Sequence, residues 1–170
     1  MTARFSIVRI VGGSLQARTS NAASLYESGL RLRANYLWSV DGCTVESYAA
    51  SDLQSVHFFA TASHAADATD EVAVGTVQYD PATNRLRQLI VDPAHRRQNL
   101  GARMVDAVKT KAIDYHQRDC LKVHAWLDSA PFYARQGFVP IGDVYESNGV
   151  LCQVMIYDPK KKGSRDGYIS

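Results

Sequence analysis

Apolar positions along the chain fall into short alternating runs, interrupted by two stretches whose apolar residues recur at helical spacing. Phe5 to Val11 reads as a first strand closed by Gly12-Gly13. Asn21 to Asn35 reads as a helix, with Leu25, Tyr26, Gly29, Leu30 and Leu32 near one face. The region from Trp38 to Leu53 is rich in turn residues and gives no clear period. Val56 to Thr61 and Val72 to Tyr79 favour strand, with the small polar loop Ser63 to Asp70 between them, and Asp80-Pro-Ala-Thr-Asn84 has the composition of a hairpin turn. Leu86 to Val91 is the next strand. Leu100, Met104, Val105, Val108 and Ala112 then mark an amphipathic helix running to about His116. Leu121 to Leu127 reads as a strand, Ser129 to Arg135 as a short helix, and Phe138 to Tyr145 as a strand. Ser147-Asn148-Gly149 turns the chain into a last strand, Val150 to Tyr157. Hairpins flanking a central strand–helix–strand crossover predict a mixed, twisted sheet in a single α/β domain over residues 1–158. The tail 159–170, with Lys160-Lys161-Lys162, is polar and expected to be a loose, solvated end.

Composition narrows the class. A chain of 170 residues, 46% hydrophobic and 21% charged, suits one globular domain with one substantial core. The formal net charge of +2 gives no nucleic-acid or membrane footprint, though it is compatible with a local cationic patch for a small polyanion. Cys43, Cys120 and Cys152 form neither a CxxC pair nor a Cys/His set at metal-ligand spacing, so free thiols and no metal site are expected. Arg4 and Arg9 interrupt the apolar residues of the N-terminus, which has no signal-peptide core, and no run reaches the length of a membrane span. These features predict a soluble intracellular protein, with the cytosol preferred over the nucleus.

The chemistry is concentrated between Leu89 and Val105. An apolar run stops at Asp92-Pro93, passes through the basic turn His95-Arg96-Arg97, and enters a helix with Asn99 and Gly101 at its mouth. A strand end feeding a helix N-terminus gathers unpaired backbone N–H groups, and the helix dipole adds to them, making an anion site. The alternative is an ordinary strand–turn–helix with solvated arginines.

The turn Arg96-Arg97-Gln98-Asn99-Leu100-Gly101 resembles the Arg/Gln-x-x-Gly-x-Gly/Ala signature of the GNAT superfamily of acetyl-CoA-dependent N-acetyltransferases. Phe132-Tyr133-Ala134-Arg135-Gln136-Gly137-Phe138 resembles that superfamily's Phe-Tyr-x-x-x-Gly-Phe segment, and the element order agrees along most of the chain. Within the superfamily, the ElaA-like branch is similar at Leu32-Arg33, Asp52-Leu53, His57 and Ala125, and more so over Pro140 to Val150 followed by Met155. Two positions of the turn depart from the pattern. Asn99 stands where the signature has glycine, but Asn tolerates a left-handed backbone best among the other residues, so the turn is expected to survive. Arg97 occupies a glycine-like position. Cys152 stands where the branch often has histidine, and no role of that histidine carries over.

The resemblance implies a GNAT-like fold, acetyl-CoA as cofactor and a primary amine as acceptor. It implies that Arg96, Arg97, Gln98, Asn99, Leu100, Gly101 and Ala102 hold the pyrophosphate. Leu89, Ile90 and Val91 would pair with the pantetheine arm, with Ser129, Phe132 and Tyr133 alongside it. Tyr133 is the candidate acid for the leaving thiolate. His57, His124 and Glu146 are candidate bases, although a lone His or Glu at a strand end is commonly structural and an ordered water can replace a base. Tyr36, Trp38 and His57 are candidate acceptor-binding residues, and the segment Asp41 to Glu46 departs most from the relatives. His95 is assigned to the surface or the adenosine side, and His64 and His116 are given no role. Cys152 reads as a buried structural thiol, which argues against a covalent acetyl-enzyme. A small-molecule amine is favoured, with a protein acetyltransferase and a non-catalytic CoA-binding module as the rivals. No nucleic-acid or membrane partner is expected. Monomer and homodimer both fit, since Val150 to Tyr157 could pair across a dimer as an edge strand or be covered internally.

Overall fold

A computed structural model describes residues 4–12, 20–38, 45–63, 72–115 and 117–160. Eight strands form one sheet: β1 (Arg4–Val11), β2 (Val56–Ser63), β3 (Val72–Asp80), β4 (Arg85–Val91), β5 (Leu121–Trp126), β6 (Val139–Pro140), β7 (Tyr145–Ser147) and β8 (Val150–Tyr157). The helices are α1 (Ser20–Arg33), α2 (Val45–Gln54), α3 (Leu100–Thr110) and α4 (Ala130–Arg135). Wider π-helical turns extend α1 through Ala34–Trp38 and α3 through Lys111–Tyr115. The strand order is β1-β2-β3-β4-β5-β8-β6, with β7 also against β8; only β4 and β5 run parallel. The mixed sheet and its central crossover are those expected from the hydrophobic pattern.

Alternation along the strands divides the apolar residues between the two faces. On one face, Leu100, Met104, Val105 and Val108 of α3 join Phe58, Val77, Leu86 and Val123 in the larger core. Leu25 and Leu32 of α1 join Ile10, Phe59 and Ala73 in a second cluster. Adjacent Phe58 and Phe59 thus belong to different cores, as a period of two requires. Covered on both faces, β3 is buried at every position from Ala73 to Asp80.

Three expectations are corrected, and the open alternative for the last strand is decided. A helix, α2, occupies part of the segment that gave no period. The strand expected over Phe138 to Tyr145 is broken into β6 and β7, because Pro140 has no N–H to donate and Gly142 turns at φ +67°. β8 is no free edge: β5 covers one side and β6 and β7 the other. The helix expected from Asn21 to Asn35 and that from Leu100 to His116 each change to a π turn before their end. The Asn148-Gly149 turn agrees with its sequence, both residues being at positive φ (51° and 77°). Among the described residues, no helix is long and apolar enough to cross a membrane.

Candidate active site

The site is built where two neighbouring strands part. β4 and β5 are paired only at Arg85 with Lys122 and Leu86 with Val123, and then diverge. A bulge begins at the same place: Gln88 and Leu89 together oppose Val77, since Arg87 pairs with Gln78 and Ile90 with Thr76. Gln88 lies at φ 52°, an unusual conformation for a residue with a side chain. The bulge bends β4 away from β5 and leaves the backbone edge of its second half facing a gap. Clefts open from both sides and share Leu37, Leu89, Trp126 and Ser129.

The larger cleft, about 690 Å³, is bounded by Leu89–Val91, the turn after β4, and α4. Asp92 accepts from the Ala94 N–H at 2.8 Å and closes the first bend. Arg96 Nε donates to the Val91 carbonyl at 3.1 Å and folds the turn back on its strand. Arg97 (φ 65°) and Asn99 (φ 60°) both take left-handed backbones, so the two departures from the glycine pattern keep the glycine-like bend. The Asn99 side chain makes no capping bond to α3, leaving the first N–H groups of that helix turned toward the cleft. Gly101 keeps that first turn close to α4, for a Cβ there would lie 3.3 Å from the Phe132 ring. The described rim carries Arg96, Arg97, His95 and Arg135 against Asp128. Cationic, with open N–H donors and a free strand edge, it fits a phosphorylated cofactor with an amide-bearing arm.

The smaller cleft, about 230 Å³, has Arg85, Arg87, Gln88, His124, Tyr133, Tyr145 and Cys152 among its lining. His124 Nδ1 lies 2.6 Å from the Tyr145 hydroxyl, which fixes the imidazole against the cleft wall. Burial, then Arg85, Arg87 and Lys122, hold the His124 pKa below the ordinary value, favouring the neutral ring. Tyr133, on α4, is 6% exposed, and burial alone pushes its phenol well above the ordinary tyrosine pKa. Edge contacts with Phe132 and Phe138, at 5.1 and 5.6 Å between centroids, fix its ring. Cys152 is buried, and burial raises its thiol pKa, so it is held protonated, as a structural thiol would be.

The expected cofactor-side residues gather in one place, with two exceptions: Gln98 is exposed and lines neither cleft, and Tyr133 lines the smaller cleft and not the larger one. Ser129 lines both clefts, and His95 sits on the phosphate side against Phe5. The acceptor-side expectations need more correction. Tyr36 lines the larger cleft instead, while its neighbour Leu37 lines both. Glu146 is exposed and lines neither, because strand alternation turns Tyr145 and Ser147 inward and Glu146 outward. The Trp38 side chain, the segment Asp41 to Glu46 apart from the backbone of Val45 and Glu46, His64 and His116 lie outside the described residues. Arg85, Gln88 and Tyr145 were not anticipated; alternation about Leu86 and along Tyr145 to Ser147 carried the signal for Arg85 and Tyr145, whereas Gln88 reaches the cleft through a bulge that alternation does not report.

His57 is also corrected: it is fully buried and lines neither cleft. Its Nδ1 accepts from Arg33 Nη2 at 3.0 Å, and its Nε2–H donates to the Asp52 carbonyl at 2.8 Å. Arg33 Nη1 binds Asp52 Oδ2 at 2.8 Å, and that carboxylate also accepts from Tyr26 (2.7 Å) and Gln78 (2.5 Å). Leu32-Arg33, Asp52 and His57, scattered marks of resemblance in the sequence, thus place three polar partners in one network binding α1, α2, β2 and β3. Gln78 pairs across the sheet with Arg87, so the network backs the floor of the smaller cleft.

A family model described as an acetyltransferase (GNAT) domain matches residues 48–159. The chain belongs to the GNAT family. GNAT proteins use an acyl-CoA as co-substrate. Among solved structures, Escherichia coli ElaA is similar with a TM-score of 0.69 at 16% identity, over 90% of this chain and 99% of that one. An acyl-CoA N-acyltransferase from Pseudomonas aeruginosa gives 0.66 at 16% identity, over 92% and 99% of the two chains. FeeM, an N-acyl amino acid synthase from uncultured soil microbes, gives 0.67 at 15% identity, over 94% and 93%. At these identities the likeness is one of fold, and it covers more of the chain than the region matched by the family model. A search of curated proteins finds no match.

Proposed function

We propose that the protein transfers an acetyl group from acetyl-CoA to a small primary amine by direct attack in a ternary complex. The observation carrying this reading is the parting of β4 and β5, which joins a cationic, N–H-lined cleft to a small acceptor cleft beneath Tyr133. The N–H groups from Asn99 to Ala102, with Arg96 and Arg97, would hold the pyrophosphate. The edge of Leu89–Val91 would bind the pantetheine arm, and Ser129 and Phe132 would wall it in. When bound, acetyl-CoA supplies an activated thioester carbonyl.

The protein's own part is to position the partners and to move two protons. A new C–N bond forms as the C–S bond breaks, so one proton leaves nitrogen and one must reach sulfur. His124, held neutral, would accept the first; Tyr133, held protonated, would donate the second. Cys152, protonated and buried, is a poor nucleophile, consistent with direct transfer. An acceptor cleft of about 230 Å³ favours a small amine over a folded protein substrate. FeeM, described as an N-acyl amino acid synthase, gives a precedent for a small acceptor in this fold.

Titration calorimetry with acetyl-CoA tests the reading. Binding to one site per chain in the micromolar range is expected. An absence of heat and of competition at these concentrations would overturn it.

A further inference from the structure

We propose that the acceptor amine carries an anionic group, a carboxylate or a phosphate, seated on Arg85 and Gln88 at the floor of the smaller cleft. The proposal rests on the transferase reading and specifies its substrate class. Arg85 opens β4 immediately before the strands part and lines the cleft; its Nε is buried with no hydrogen-bond partner among the described residues. Gln88, on the bulge, has both amide atoms buried and unpartnered. Two of these atoms, Arg85 Nε and Gln88 Nε2, are buried donors that are costly to leave unsatisfied and that an anion would complete, while the Gln88 carbonyl would accept from the ammonium of the same ligand. A guanidinium presents a fork of donors matched to carboxylate or phosphate oxygens, and an amide beside it offers one donor more.

Charge points the same way. No Asp or Glu is among the described residues lining this cleft. Arg87, the other guanidinium in the lining, pairs with Asp80 at 3.6 Å, whereas Arg85 feels Asp80 only at longer range and forms no ion pair among the described residues. Burial and Arg87 both weigh against the Arg85 charge, and an incoming anion would relieve that. The same field opposes an acceptor with a second cation, such as a polyamine or a lysine-rich peptide. It also helps an ammonium give up its proton, which the attack requires.

The test compares kcat/KM with acetyl-CoA for matched acceptors: a panel of amino acids against their carboxamides, phosphoethanolamine against ethanolamine, and spermidine. The best acceptor should be an anion, preferred over its neutral partner by about tenfold or more; the winning arm distinguishes carboxylate from phosphate. In Arg85→Gln that preference should collapse toward one, mainly through KM, and Arg85→Lys should restore part of it. Neutral or cationic acceptors performing as well as the anions would overturn the proposal, as would a preference unmoved by Arg85→Gln. Calorimetry with acetyl-CoA, run in parallel, separates the two failures. Normal binding with a preference for neutral acceptors sinks the anion alone, whereas no binding and no turnover sink the transferase reading with it.

Discussion

Tyr133 and His57 are both buried, and burial favours the uncharged form of each, with different consequences. For Tyr133 the result is a phenol that stays protonated at working pH and can still lose a proton to a nearby thiolate. Replacing Tyr133 with Phe should lower kcat by roughly 100-fold or more while leaving KM for acetyl-CoA within a few-fold; an unchanged kcat at all pH values would remove the acid assignment. For His57 the result concerns stability. Burial first, then Arg33, push its pKa down to about 4 from 6.5. The ring is neutral in both folded and unfolded states above pH 6.5. Between 6.5 and about 4 only the unfolded chain takes up the proton. Stability should therefore fall with acid across that window, by up to about 1.4 kcal/mol per pH unit, and level off below it. Urea unfolding of the wild type and of His57→Gln should show the slope reduced in the variant; parallel profiles would contradict this account. The sequence marked Tyr133 because its motif is local. It misplaced His57 because the partner that buries it, Arg33, lies in another element, and no local pattern reports such a pairing.

At the scale of the element, the turn into α3 depends on two non-glycine residues holding left-handed backbones. Asn99 can do so at modest cost, whereas a β-branched side chain cannot. Asn99→Gly should therefore bind acetyl-CoA as the wild type does or slightly better. Asn99→Val should weaken binding at least about tenfold through misplaced N–H donors, as calorimetry would show; equal affinities in the two variants would mean that the turn does not shape the phosphate site. This element was legible in advance, because a strand, a helix and the residues joining them are contiguous. The stretch from Phe138 to Tyr145 was not. Its apolar residues, Phe138, Val139, Ile141 and Val144, suggested one strand, but Pro140 and Gly142 interrupt the hydrogen-bond ladder, and three of the four are exposed. That misreading also hid the parity of β7, and so exchanged Glu146 for Tyr145. α2 escaped notice because its Ser and Asp residues favour turns as readily as helix.

At the scale of the whole molecule, one face of the sheet carries a continuous polar band. It runs from the buried Arg33–Asp52–His57 network, through Gln78 and its neighbour Arg87, to the open cleft at Arg85, His124 and Tyr145. The opposite face is apolar and packs on α3. The parting of β4 from β5 lies between these surfaces, so the two clefts meet at Leu89 and Ser129, far apart in the chain. Element order was enough to predict the mixed sheet, and the motifs of the turn and of α4 were enough to single out most of the residues that border the larger cleft. The acceptor side needed the register of five strands and the fold of Ala34–Trp38, which only the three-dimensional structure supplies. The central claim is that this geometry moves an acetyl group from acetyl-CoA to an amine. Its most direct test is the steady-state release of free CoA thiol over a panel of amines, with the product identified by mass. Thiol release should depend on the amine and match, mole for mole, the appearance of an N-acetylated product; release that stays at the rate of hydrolysis with every amine, with no acetylated product, would contradict the account.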